Sequence, residues 1–166
     1  KIDRFATDQV SDALRRLVPA EQQALLRSLA LYADALAPAG PAGQRGTPPP
    51  GAAIAQGYVP GCIGDVAALH ARFYAQHAGF GPYFEQKVAT ELAAFAGSLP
   101  HPRKGLWLCV AGGRTLASLA IDADEDGAER LAHLRWFIVD ASLRGTGMGR
   151  ALLAQAMRFV DAHFDA

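Results

Sequence analysis

The chain has 166 residues, about the length of one domain. Its 16 Lys and Arg balance 16 Asp and Glu, and zero net charge argues against a strongly basic nucleic-acid binder or a polybasic membrane-surface protein. Charged residues make up 19% and hydrophobic ones 51%, enough to bury a core, while two cysteines, Cys62 and Cys109, are too few for a disulfide framework or a four-ligand zinc site. The expectation is a metal-free cytoplasmic protein with two reduced thiols. No run approaches the roughly 18 apolar residues of a membrane span, so no membrane contact is expected.

The first residues, Lys1-Ile2-Asp3-Arg4-Phe5, lack both the apolar region of a secretory signal and an initiator Met, which suggests a piece of a longer protein. Residues 1–36 read as two amphipathic helices. Val10, Leu14 and Leu17 recur at helical spacing behind the cap candidates Thr7 and Asp8. Pro19 then suits the first turn of a second helix bearing Leu25, Leu29, Tyr32 and Leu36. Such a hairpin cannot bury its apolar faces alone and calls for a partner. Residues 37–52 are rich in Pro and Gly, including Pro48-Pro49-Pro50, and read as a linker.

Residues 53–166 mix element types into an α+β pattern. Residues 54–59 predict a strand ending at Pro60-Gly61. Asp65 is placed to cap a helix bearing Val66, Leu69, Phe73 and Phe80, and a second helix after Pro82 carries Phe84, Val88, Leu92, Phe95 and Leu99. Residues 106–110 and 115–121 predict strands around the hairpin signal Ala111-Gly112-Gly113-Arg114. A longer strand over 131–139 leads to a helix over 149–164, with Leu153, Met157, Val160 and Phe164 on one face.

The most informative stretch joins these last two elements. An apolar strand runs through Trp136-Phe137-Ile138-Val139 into Asp140-Ala141-Ser142-Leu143-Arg144-Gly145-Thr146-Gly147-Met148-Gly149-Arg150. Three glycines at alternate positions let the backbone approach a ligand and aim successive N–H groups into one concavity. The helix N-terminus behind them suits a phosphate or pyrophosphate, and Arg144 and Arg150 flank the loop. The nucleoside-triphosphate loop is excluded, because no Lys-Ser or Lys-Thr pair occurs. The dinucleotide fingerprint fails in both registers, which end on Arg150 and Leu152 where it needs glycine. The pattern Arg/Gln-x-x-Gly-x-Gly/Ala fits at Arg144, Gly147 and Gly149.

This loop, with its flanks and element order, resembles the coenzyme A loop of the GNAT family of N-acetyltransferases. The resemblance implies a GNAT acyl-CoA N-acyltransferase fold: a mixed, mostly antiparallel sheet flanked by helices, here incomplete at the C-terminus and preceded by an N-terminal helical hairpin. It implies acetyl-CoA as cosubstrate, no metal, and an amine acceptor acetylated by direct attack. Phe137, Ile138 and Val139 would face the pantetheine arm, and amides from Arg144 through Gly145, Thr146, Gly147 and Met148 to Gly149 would hold the pyrophosphate beside Arg150. Family members continue with a further strand and a helix that often supplies a tyrosine general acid. This sequence ends at Phe164-Asp165-Ala166, so that group has no counterpart in it.

Glu129 and His133, on or before the last strand, are the general-base candidates, and strict alternation would put both on the face of Arg135 and Phe137. His70 and Tyr74, one turn apart, are candidate acceptor-lining residues. The acidic run through Asp122, Asp124, Glu125, Asp126 and Glu129 lacks calcium-loop spacing and reads as a solvated turn. Residues 1–36 also resemble the dimerisation helices of MarR-type regulators. Residues 60–99, with His70, Tyr74, Gly79-Phe80 and Phe84, resemble the start of the GNAT half of bacterial MarR–GNAT fusions. That implies a homodimer, with no DNA contact from this piece and DNA reading possible for a longer parent chain. The alternative functions are a MarR-type transcriptional regulator whose GNAT-like half senses acyl-CoA without turnover, and a partner-binding module with a dead cofactor site.

Overall fold

Two apolar strands buried on both faces organise the described residues, with helices packed on either side of them. In this computed structural model the structure describes residues 46–123 and 132–164, so the expected helical hairpin, most of the linker and Glu129 lie outside the described residues. The elements in order are β1 (Ala53–Gln56), α1 (Cys62–Ala78), α2 (Pro82–Gly97), β2 (Gly105–Ala111), β3 (Arg114–Ala123), β4 (Ala132–Val139), a single 3-10 turn (Ala141–Leu143) and α3 (Met148–His163). The described sheet has the order β1-β2-β3-β4, antiparallel throughout.

Strand periodicity sorts the side chains of β2 and β3 into two cores. Leu106, Leu108 and Ala120 meet Val66, Ala67, Val88, Leu92 and Phe95 of α1 and α2 on one face. Trp107, Cys109, Ala117, Leu119 and Ile121 meet Leu152 and Ala156 of α3 on the other. Burial on both sides is why these strands read as continuous apolar runs rather than alternating ones. Cys62 and Cys109 are free thiols inside these cores, and burial pushes the Cys109 thiol up from its ordinary value. Among the described residues no helix is long and apolar enough to cross a membrane.

Several expected boundaries shift for local reasons. β1 stops at Gln56, because Gly57 at φ 88° leaves the extended region. Asp65 is not a cap. The helix already starts at Cys62, and the Asp65 carboxylate instead accepts from Arg114 Nε (2.9 Å) and Thr115 N (2.8 Å), tying the first turn of α1 to the start of β3. Phe80 lies beyond the end of α1, where Gly79 at φ 69° turns the chain, and Leu99 lies beyond α2. The α3 stripe also moves. Gly149, Leu152 and Ala156 face the sheet with Leu153 and Val160 beside them, while Met157 is 47% exposed. Small residues at 149 and 156 let the helix lie close to β2 and β3, which recentres the buried line by one position.

Gly105 shows how tightly the second core is filled. A Cβ there would sit 2.4 Å from Cη2 of Trp107, a rigid ring only 1% exposed. Gly105→Ala is therefore expected to lower stability by about 1–3 kcal/mol in denaturant melts, the usual cost of forcing an overpacked core apart.

Candidate functional site

The distinctive backbone of the molecule lies in β4. The register runs Ala117↔Val139 and Ser118↔Ile138, then resumes at Ala120↔Arg135, so Trp136 and Phe137 together oppose Leu119. This is a β-bulge, and Trp136 adopts φ 47°, a left-handed conformation rare for a bulky side chain. Such a residue costs on the order of 1–3 kcal/mol and persists only where its surroundings over-determine it. Here the Trp136 carbonyl accepts from the fully buried Ser118 hydroxyl at 2.6 Å. The indole packs on Phe95, with ring centroids 5.2 Å apart, and the Arg135 guanidinium lies 4.1 Å over its centre. Arg135 is itself held by Glu91 of α2 and by Asp122 of β3.

The bulge corrects the expectation of strict alternation. Arg135 and Trp136 both face α1 and α2, whereas Phe137 and Val139 join the α3 core, so Phe137 does not share a face with Arg135. β4 is the terminal strand of the described sheet, and among the described residues no strand pairs with its outer edge.

Beyond Val139 the chain is anchored before it opens. Asp140 N donates to Leu116 O (2.8 Å), and the Asp140 carboxylate accepts from Ser142 N (2.9 Å) and Ser142 Oγ (2.6 Å). Those bonds, the hydroxyl one first, hold the Asp140 carboxyl below its ordinary range, aided by the positive charges of Arg72 and Arg144. Leu143, 1% exposed, plugs the 3-10 turn into the α3 core. Thr146 donates from both N (3.2 Å) and Oγ1 (2.7 Å) to Leu143 O.

Gly145 and Gly147 then take φ 74° and 85°, which favour glycine, and Gly147 precedes the first turn of α3. A Cβ at either position would meet nothing within 4 Å, so the loop faces open space. Among the described residues no backbone carbonyl accepts from the Gly145 or Gly147 amide. Arg144 and Arg150 are exposed on either side. The Pro/Gly-rich segment also reaches this loop: a Cβ on Gly46 would lie 3.4 Å from both Arg144 O and Thr146 Cγ2.

The other predicted residues fall in different places. His133 is exposed on β4 opposite Asp122, three residues before the bulge and so about 10 Å along the strand from it. His70 is buried, and its Nδ1 donates to Val66 O (2.9 Å), leaving Nε2 as the acceptor nitrogen. Burial outweighs that bond and lowers the His70 pKa from its ordinary value. Tyr74 stacks on Phe80 (5.6 Å) and packs against Phe84 (5.0 Å), in an aromatic cluster that closes the turn between α1 and α2. Among the described residues no group of three or more His, Cys, Asp or Glu could hold a metal ion.

Sequence reasoning missed Ser118, Trp136, Asp140 and Leu143 as builders of this site. Asp140-x-Ser142 carries a local signature, because Asp side chains commonly accept from the backbone two residues on.

Two measurable consequences follow from this geometry. Asp140→Ala removes both acceptor bonds at the turn and is expected to cost about 1 kcal/mol in thermal melts, as for other lost caps. His70 is bound to fewer protons when folded than when unfolded, so its contribution is complete above pH 6.5 and declines as pH falls below that value. A His70→Leu variant should show a flatter melting temperature between pH 7 and 5 than the parent chain.

Comparison with known proteins agrees with this architecture. The model of the Acetyltransferase (GNAT) family matches residues 67–165. No curated protein sequence matches the chain. Among solved structures, an acetyltransferase from Streptococcus agalactiae is similar at TM-score 0.53 and 18% identity, covering 69% of this chain and 68% of that one. An integron cassette protein from the mobile metagenome of Cole Harbour Salt Marsh is similar at TM-score 0.47 and 22% identity, covering 64% of this chain and 70% of its own. A glucosamine-6-phosphate N-acetyltransferase from Arabidopsis thaliana gives TM-score 0.44 and 12% identity, covering 66% and 76%. With more than half of its length matched by the family model, and with a bulged β4 leading through a glycine loop into a helix N-terminus, the chain belongs to the GNAT family of acetyltransferases.

Proposed function

We propose that this chain binds acetyl-CoA along β4 and the loop at 140–147 and transfers its acetyl group to an amine by direct attack. The observation that carries the reading is the pair of Gly145 and Gly147 amides, with no backbone acceptor among the described residues, at the N-terminus of a 16-residue helix. Backbone N–H groups and the positive helix end together suit a pyrophosphate, and the open space before Gly145 and Gly147 leaves room for it. Arg144 and Arg150, exposed at the two sides, would add charge-assisted contacts. Acetyl-CoA supplies an acyl thioester, and the protein's share is to place its carbonyl where one backbone N–H of residues 137–139 meets the charge that builds on oxygen.

The amine must lose a proton during transfer. On early β4 the described candidate for accepting it is His133, acting through water across the separation given above. Tyr74, beside Phe80 and Phe84, and the neutral ring of His70 are assigned to the acceptor side, since α1 packs on both β3 and β4.

Calorimetry of the chain with acetyl-CoA should give saturable heat. Gly147→Val places a branched side chain into the space before the loop and is expected to weaken binding by about tenfold or more, the effect of about 1.4 kcal/mol. An unchanged dissociation constant would refute the loop assignment, and no binding by the parent chain would refute the reading as a whole. Incubation with a panel of primary amines should release free CoA. Binding without release would favour the acyl-CoA sensor instead.

A further inference from the structure

We propose that Ser118 is a positioning residue for the acyl-CoA cleft. By holding the carbonyl of Trp136, its hydroxyl fixes the bulge that sets the register and facing of residues 137–139. The inference rests on the acetyl-CoA reading above.

The argument begins with an orphaned group. In a regular antiparallel ladder the Trp136 carbonyl would have a backbone partner on β3 or would face the edge. Here it meets the buried Ser118 hydroxyl instead, in the layer under α1 and α2, where an unpartnered carbonyl is strongly disfavoured. Ser118 lies diagonally across, paired in register with Ile138, and its side chain is on the same face as Ala120. Its Oγ donates to that carbonyl at 2.6 Å from a fully buried position. Ser118 is also a polar interruption in the apolar run 116–121, where packing alone would favour Ala or Val. The hydroxyl thus supplies a hydrogen-bond partner to a carbonyl within the bulge.

Removing it leaves two options: keep the bulge with a buried, unbonded carbonyl, or slip the strand toward regular pairing. A slip of one residue reverses every side chain beyond it. Phe137 and Val139 would then leave the α3 core, and the Asp140 anchor to Leu116 would be misplaced. The cleft would be lost although the sheet remained.

The test compares Ser118→Ala and Ser118→Cys with Ser118→Thr, which keeps the hydroxyl, and with Val88→Ala, a truncation in the same core two helical turns along α2 from the Phe95 that packs on Trp136. Readouts are the acetyl-CoA dissociation constant, the melting temperature and amide hydrogen exchange across 136–140. The expected result is about tenfold weaker binding and faster exchange for the Ala and Cys variants, recovery to within about threefold for Thr, and parent-like affinity for Val88→Ala at comparable loss of stability. Should the Ala variant not fold, the near-isosteric Cys variant reads the same quantity. A folded Ala or Cys variant with parent-like affinity would overturn the inference while leaving the acetyl-CoA reading intact, as would a Thr variant as weak as Ala. Absence of binding by the parent chain would overturn both.

Discussion

The site depends on one residue held where its own backbone would not choose to be. Trp136 in the left-handed region inserts an extra residue into β4, and that insertion decides which side chains of the strand's last third enter the α3 core. The strain is opposed from three directions, by the Ser118 hydroxyl on the carbonyl, the Phe95 ring against the indole and the Arg135 guanidinium above it. Arg135 passes the constraint outward, because its partners Glu91 and Asp122 belong to α2 and β3. A fold element, a sheet neighbour and a buried hydroxyl therefore all converge on one peptide unit.

The loop after β4 shows the complementary strategy, in which firm anchoring permits open backbone. Asp140 and Leu143 satisfy or bury what they can, and Thr146 folds back on Leu143. Gly145 and Gly147 that follow take positive φ, with no backbone acceptor for their amides among the described residues, because the residues before them already hold the turn. For the proposed pyrophosphate, donors already held in place would keep the cost of binding low. The Gly46 segment lies against this same turn, so one wall of the loop comes from the Pro/Gly-rich stretch.

Much of this was legible in the sequence. The central strands appear as uninterrupted apolar runs because helices cover both faces, and the turn into α3 appears because Gly145 and Gly147 stand directly before a helical stripe. The bulge was not legible. Trp136 and Phe137 are ordinary strand residues, and nothing local marks where a ladder admits an extra one. Its support comes from Ser118, 18 positions earlier in the chain, across a hydrogen bond that composition cannot reveal. The buried face of α3 departs from the stripe of large residues because Gly149 and Ala156 face the sheet by virtue of being small. Asp65 likewise looked like a cap because its partner, the hairpin start at Arg114 and Thr115, lies 49 and 50 residues away.

The two buried cysteines have a practical side. Free CoA is a thiol, and a disulfide-exchange dye that counts it would ordinarily count protein thiols too. Cys62 and Cys109 are 1% and 0% exposed, and the Cys109 sulfur is further disinclined to ionise. Because thiolate is the reactive form, both are silent toward such a dye while the chain is folded. The same optical signal would therefore report the proposed CoA release by the native protein and, once the cores open, its unfolding.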